Sequence, residues 1–205
     1  LNDRYTARYD ASRASSRATS RAARLTEREI EVLTMVGSGL TAPEIAHRLG
    51  ITRVTSTDTV RQTMRAFFAQ RFMPSIHYSS FEAGPALRIH EGEEADAALL
   101  GFKEQTRNVL VGVKAVIARA LEESYSIAVE GVHLVPGALP RSYDGAVVVQ
   151  CMLAIAGEDE HARHFWVRDT SSQGLRPMQK YLRSLPEIRR IQDYLVERAD
   201  KAGVP

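Results

Sequence analysis

Two short apolar runs constrain the fold of this chain more than any other feature. Residues 126–134 hold Ile127, Ala128, Val129, Val132 and Leu134, and residues 146–156 pass almost unbroken through Val147, Val148, Val149, Cys151, Met152, Leu153 and Ile155. Neither run alternates polar and apolar residues as a half-solvated strand would, and both are short for a helix. A long helical pattern lies before the first of them, across residues 94–123, with Leu99, Leu100, Phe102, Val109, Val113, Val116, Ile117 and Leu121 at its apolar positions. Continuous apolar strands separated by helices predict a parallel sheet covered on both faces, an α/β architecture. Residues 51–56 are rich in β-branched side chains and end in a polar cluster, which predicts a further buried strand. Residues 158–202 read as two or three charged helices broken by Gly174, Pro177 and Pro186.

The N-terminal part has a different character. Residues 1–24 are Ser/Ala/Arg-rich, with six arginines and two aspartates and no apolar periodicity. They read as a disordered basic leader: a solvated linker, or an arm that touches nucleic acid. Thr26-x-x-Glu29 and Thr41-x-x-Glu44 are capping-box patterns, and Ile30, Leu33, Val36, Leu40, Ile45 and Leu49 suit two helices meeting at Gly37-Ser38-Gly39. The net charge of +2 does not mark a nucleic-acid binder, although 23 of the 27 basic residues are arginine. A single cysteine, Cys151, excludes an internal disulfide and fits a reducing compartment. No apolar run is long enough to span a bilayer, so a cytoplasmic protein without a membrane partner is expected. The chain starts without Met and stops at Gly203-Val204-Pro205, which suggests a fragment truncated at its C-terminus.

Residues 44–68 carry the chemistry. In one reading a short helix feeds the strand at 51–56, which ends near Asp58 and is followed by a helix bearing Arg61 and Arg65. In the other, the two helices are the halves of a helix-turn-helix. Either way Arg61 and Arg65 lie one turn apart on one face, with Val60, Met64, Phe67 and Phe68 turned toward a core. Paired arginines suit bidentate capture of phosphate or carboxylate.

The segments LTEREIEVL and GLTAPEIAHRLGI resemble the start of a LuxR-type helix-turn-helix over residues 25–50. In that family the recognition helix follows almost at once, whereas here Arg53-Val54-Thr55-Ser56 stand extra before Thr59 and Val60. A longer resemblance covers residues 44–205. EIAHRLGITRVTSTDTVRQTMRAFF, PSIHYSSFEAG, GFKEQ…VGVKAVIARALEE, SIAVEGVHLVPG and PEIRRIQDYLVERA together are similar to the 2-phosphoglycerate kinase family, which has a P-loop kinase fold. This resemblance implies ATP and Mg²⁺ as cofactors and conversion of 2-phosphoglycerate to the 2,3-bisphosphate. It places the phosphate loop just before EIAHRLG, so Gly37, Ser38, Gly39 and Thr41 are the candidate nucleotide-binding residues. The stretch lacks the lysine of G-x-x-x-x-G-K-[ST], and residues 25–43 read as a helical segment in the place of that loop.

By the same resemblance Asp58 orients or deprotonates the acceptor hydroxyl, and Arg61 and Arg65 clamp the phosphorylated acid. Glu130 is expected to be an acid inside an apolar strand, in a Walker-B-like position that holds a water on Mg²⁺. His77 and Tyr78, with Ser79, would lie over the acceptor; surface decoration is the alternative. Arg163 and Arg168 are candidate lid arginines on the transferring phosphate, or a solvated charged face. His133 reads as a hydrogen-bonded structural imidazole. His161 and His164 share a helix face without a third metal ligand nearby. Cys151 reads as core packing and Trp166 as a helix anchor. Three functions follow: a small-molecule phosphotransferase, a DNA-binding LuxR-type regulator, or an inactive kinase-like scaffold.

Overall fold

The computed structural model describes residues 26–87, 96–171 and 178–205; the leader at 1–24, Gly174 and Pro177 lie outside the described residues. The elements run α1 (Glu27–Gly37), α2 (Ala42–Arg48), β1 (Arg53–Ser56), α3 (Thr57–Phe67), α4 (Ala97–Glu122), β2 (Ile127–Glu130), α5 (Glu158–Ser171), α6 (Met178–Arg183) and α7 (Leu185–Ala202). Single 3₁₀ turns at Pro74–His77 and Gly84–Ala86 lie between α3 and α4.

Local chemistry sets the helix starts. The Thr26 hydroxyl accepts from the Glu29 amide while the Glu29 carboxylate accepts from the Thr26 amide at 2.8 Å. Thr41 and Glu44 repeat the exchange at α2, and the Thr41 hydroxyl and amide hold the Glu44 carboxyl below its ordinary range. Ser56 caps α3 through the Thr59 amide, and Asp96 caps α4 through the Leu99 amide. Pro186 lies in the first turn of α7 and so admits that helix instead of breaking it.

β1 and β2 pair in parallel, with Arg53 opposite Ile127 and Ser56 opposite Glu130. Among the described residues the sheet has these two strands. α2 packs against both strands, and α3 lies along α4. One core cluster, Val60, Ile76, Val109, Leu110 and Val113, joins α3 to α4; a second, Phe102, Val135, Ile191 and Leu195, joins α4 to α7.

Several expectations are corrected. Residues 146–156 form no strand beyond an isolated bridge between Tyr143 and Ala146. Their backbone is instead tied to the C-terminal helix: the Met152 amide donates to the Pro205 carbonyl at 2.7 Å, and the Ile155 amide and carbonyl meet Gln192 and Arg189. Val147 is 86% exposed and Leu153 59%, and Cys151 is exposed instead of packed in a core. Phe67 and Phe68, at and just past the end of α3, also face outward, and Trp166 is exposed on α5. By contrast, Ile30–Val36 lie in α1, as the capping box at Thr26 and Glu29 predicts.

α4 and the segment at the 3₁₀ turn before it approach closely: a Cβ on Gly101 would lie 2.3 Å from the Ala83 carbonyl carbon and oxygen. Gly101→Ala should therefore destabilise the protein by about 3 kcal/mol through overpacking. Gly37→Ala, where a Cβ meets nothing within 4 Å, should be neutral or stabilising by about 0.5 kcal/mol. Urea midpoints of the two variants check the contrast, and equal midpoints would refute the tight approach.

Candidate functional site

The carboxyl ends of parallel strands are where α/β folds gather ligands, because helix N-termini and loops converge there. Ser56 and Glu130 end their strands side by side. α3 begins at Thr57 and brings Asp58 in its first turn; a loop containing Gly131 and His133 follows β2. Gly131 has φ 132°, and a Cβ there would stand 2.1 Å from Thr57 Oγ1, so the loop after β2 closes directly onto the start of α3.

His133 is completely buried at this junction. Its Nδ1 lies 2.9 Å from Thr57 Oγ1, and its Nε2 lies 2.8 Å from Gln105 Oε1 and 3.3 Å from Ser80 Oγ. Gln105, also fully buried, donates from Nε2 to the Ser75 carbonyl at 2.6 Å and the Tyr78 carbonyl at 3.0 Å. Since Nε2 meets two carbonyls, Oε1 must accept, so His133 carries its proton on Nε2 and accepts from the Thr57 hydroxyl. Arg61 is buried too. Its Nη1 donates to the Ile76 and Tyr78 carbonyls, both at 3.0 Å, and its Nε reaches Asp58 Oδ1 at 3.2 Å. Asn108 completes the set with a bond to Ser75 Oγ at 2.9 Å.

The expected site residues divide accordingly. Asp58 and Arg61 follow β1 and Glu130 ends β2, at one end of the sheet, and the loop with His77 and Tyr78 meets Arg61 through the Ile76 and Tyr78 backbone carbonyls. Arg61 is turned inward and holds loop carbonyls with one terminal nitrogen. Arg65 is exposed one turn on and bonds to Gln62 Oε1 at 3.1 Å. His77 donates from Nε2 to the Phe68 carbonyl at 2.8 Å, and the Tyr78 hydroxyl accepts from Gln70 at 3.4 Å. Glu130 is exposed, which corrects its reading as a buried acid: β2 stops at this residue, so its carboxylate stands at the strand end in contact with solvent.

Arg163 is exposed on α5; Arg168 follows on the same helix, and its side chain is outside the described ones. This helix is linked to the site indirectly. His161 and Phe165 stack toward Tyr181 of α6, Tyr181 meets Phe81, and Lys180 donates to Ser79 Oγ at 3.0 Å and pairs with Glu82 at 2.9 Å. Gln105, Asn108, Ser80 and Lys180 were not among the expected site residues. Gln105 had a signal: it lies between Phe102 and Val109 on the buried stripe of α4, where a polar residue needs a partner.

The turn expected to bind nucleotide has its donors engaged. The Ser38, Gly39 and Leu40 amides donate to carbonyls of Thr34, Met35 and Val36, and the Thr41 amide and hydroxyl donate to Glu44. A phosphate cradle needs those amides free and convergent, so Gly37, Ser38, Gly39 and Thr41 do not fit a triphosphate in this arrangement. Asp58 and Glu130 at one strand end are compatible with Mg²⁺, which takes one or two carboxylates beside water and phosphate oxygens. Among the described residues no group of three or more His, Cys, Asp or Glu could hold a metal by itself.

A relative named 2-phosphoglycerate kinase, from Methanothermobacter thermautotrophicus, is 39% identical over 171 residues, 83% of this chain and 56% of the relative. The 2-phosphoglycerate kinase of Thermococcus kodakarensis is 40% identical over 172 residues, 84% of this chain and 57% of the relative. That of Methanopyrus kandleri is 35% identical over 191 residues, 89% and 57%. This chain is a homologue of part of the 2-phosphoglycerate kinases. It spans about half the length of the curated relatives it matches, and its small parallel sheet flanked by helices fits an α/β, P-loop kinase-like class. Residues 23–65 also match the family described as bacterial regulatory proteins, luxR family. No solved structure matches the chain. Within the luxR-matched stretch, β1 stands between α2 and α3 and is paired to β2, so the two helices do not meet through a tight turn. Among the described residues no helix is long and apolar enough to cross a membrane.

Burial pushes His133 down from 6.5 to about 4; Asp58 pulls it upward and Arg61 further down, both by charge. The unfolded chain therefore takes up this proton first as pH falls. The stability contributed by neutral His133 is complete above pH 6.5 and is lost between 6.5 and about 4, amounting to about 3 kcal/mol. Urea melts across that window should show the loss in the wild type and a shallower slope in His133→Gln. Parallel pH profiles for the two proteins would contradict a buried neutral imidazole.

Proposed function

We propose that this chain carries the acceptor side of a small-molecule phosphotransferase of the 2-phosphoglycerate kinase type. The supporting observation is identity of 35–40% to proteins of that name across more than four-fifths of the chain. Residues 44–205 form the kinase-like unit in this reading, and residues 25–43 are a helical segment in the place of the usual phosphate loop. The acceptor is a small phosphorylated acid, 2-phosphoglycerate by homology. Arg65 offers its exposed guanidinium to the phosphate or carboxylate, and Arg61, held at the loop, adds positive potential behind it. Asp58, on the rim beside Arg61, orients the acceptor's free hydroxyl. His77 and Tyr78 border the acceptor from the adjoining loop.

Kinase homology implies nucleotide and metal. Glu130 would hold Mg²⁺, which neutralises phosphate oxygens when bound. In a kinase of this type the γ-phosphoryl group of ATP would pass to the free hydroxyl of 2-phosphoglycerate, with the bond from the γ-phosphorus to its bridging oxygen broken, ADP leaving and the hydroxyl proton released, to give the 2,3-bisphosphate. The amides at 37–41 are engaged in helix caps, so no step is assigned to them. Arg163 and Arg168 stand as lid arginines on α5. The luxR match supports a second reading, in which residues 25–72 bind DNA; the buried Arg61 and the strand ahead of α3 weigh against it.

Titration calorimetry of the full chain with 2-phosphoglycerate tests the first reading. Binding is expected, with affinity reduced about tenfold or more in Arg65→Ala through loss of a charged contact. MgATP at millimolar concentration should bind weakly or not at all. Absence of 2-phosphoglycerate binding together with tight, steeply salt-dependent duplex binding would replace this reading by the regulator.

A further inference from the structure

The loop between α3 and α4 is anchored from below by side chains of both helices. Its Tyr78 carbonyl accepts two hydrogen bonds, from Arg61 Nη1 and Gln105 Nε2, each 3.0 Å long. Its Ser75 carbonyl accepts from Gln105 at 2.6 Å, and its Ser75 hydroxyl accepts from Asn108. Three consecutive residues beyond, Ser79, Ser80 and Phe81, meet Lys180, His133 and Tyr181. The loop is therefore fixed to α3 through Arg61, to α4 through Gln105 and Asn108, and to the loop after β2 through His133, with the fully buried Gln105 amide bonded both to the loop and to His133.

We infer that Gln105 is a positioning residue for the acceptor loop: by bonding the Ser75 and Tyr78 carbonyls while accepting from His133, it sets where His77 and Tyr78 stand relative to the strand ends. The inference rests on the acceptor reading for its consequence, although the anchoring itself does not. Gln105 is suited to this in a way that neighbouring side chains are not. Glutamine offers two donors and an acceptor on one rigid plane. Here the donors face the loop, and the acceptor faces His133 Nε2. A carboxylate would leave the Ser75 carbonyl without this donor and the Tyr78 carbonyl with Arg61 alone, and an apolar side chain would in addition leave His133 Nε2 with Ser80 alone. Thr57 stands on the opposite nitrogen of the same imidazole and touches no part of the loop through its hydroxyl, so it separates damage to the network from displacement of the loop.

The test compares Gln105→Met, close in volume, with Thr57→Val in the full chain. Amide hydrogen exchange across residues 75–80 and titration of 2-phosphoglycerate are read together. Gln105→Met should speed exchange of those amides by about tenfold or more, through loss of buried hydrogen bonds. It should weaken 2-phosphoglycerate by about tenfold. Thr57→Val should lower the urea midpoint while leaving both loop exchange and affinity near wild type. If Gln105→Met does not fold, Gln105→Glu, which keeps an acceptor for His133, carries the same comparison. Unchanged loop exchange in the glutamine variant, or equal effects from Thr57→Val, would overturn the positioning role. If the wild type does not bind 2-phosphoglycerate, the acceptor reading fails, and the exchange measurement alone decides the anchoring.

Discussion

The parallel pairing of Arg53–Ser56 with Ile127–Glu130 is the constraint on which the rest of the structure depends. Two parallel strands cannot be joined by a tight turn; the chain between them must cross over and return. Here the crossover holds α3, the loop with both 3₁₀ turns, and the 26-residue helix α4. An isolated pair of strands is marginal in water and needs helices against it. The helices therefore stabilise the pairing, and the pairing in turn brings the start of α3 beside the loop after β2. Gly131 at Thr57 is the point of contact, and a side chain there would push the two apart.

That closure encloses polar groups, and the enclosure explains their chemistry. Taking Arg61, Gln105 and His133 out of water is costly unless each donor and acceptor is met. Arg61 is met by two carbonyls and Asp58, Gln105 by two carbonyls and an imidazole, and His133 by Thr57, Gln105 and Ser80. A second charge beside Arg61 would be repelled and poorly solvated. His133 accordingly stays neutral, with burial the larger cause and Arg61 a smaller one. A satisfied network of this kind specifies one arrangement of the loop, since a displaced carbonyl leaves donors unmatched on both sides.

Legibility in the sequence followed the range of the interaction. Thr26-Glu29 and Thr41-Glu44 are three residues apart, so their capping boxes were readable and form as expected. The 3.6-residue pattern from Leu99 onward located α4, and the runs at 51–56 and 126–134 contain β1 and β2. Residues 146–156 have the same apolar composition as a buried strand, but pairing needs a neighbour. Among the described residues their polar backbone groups meet Pro205, Gln192 and Arg189. Glu130 departs from its sequence pattern for a related reason: burial at a strand's last residue depends on where the strand stops, and β2 stops there. The residues proposed for the acceptor side come from the family resemblance, whereas Gln105 follows from α4 itself, as a polar residue three positions after Phe102 and four before Val109.

The luxR match over residues 23–65 and the kinase resemblance from residue 44 are compatible because they draw on the same local signals. Capping boxes, an apolar stripe and a glycine turn produce α1 and α2 whether the next helix lies in a DNA groove or beside a sheet. What distinguishes the outcomes is distant in sequence. Once Ile127–Glu130 pairs with Arg53–Ser56, the last four of the eight residues between α2 and α3 are committed to a ladder and cannot serve as the short turn of a helix-turn-helix. The same pairing turns Arg61 inward, where the Ile76 and Tyr78 carbonyls take its Nη1. Arg65 is left outside on the next turn, and its free face is the part of α3 still able to meet a phosphate. The strand pair thus decides which of the two arginines is structural support and which is available to a ligand.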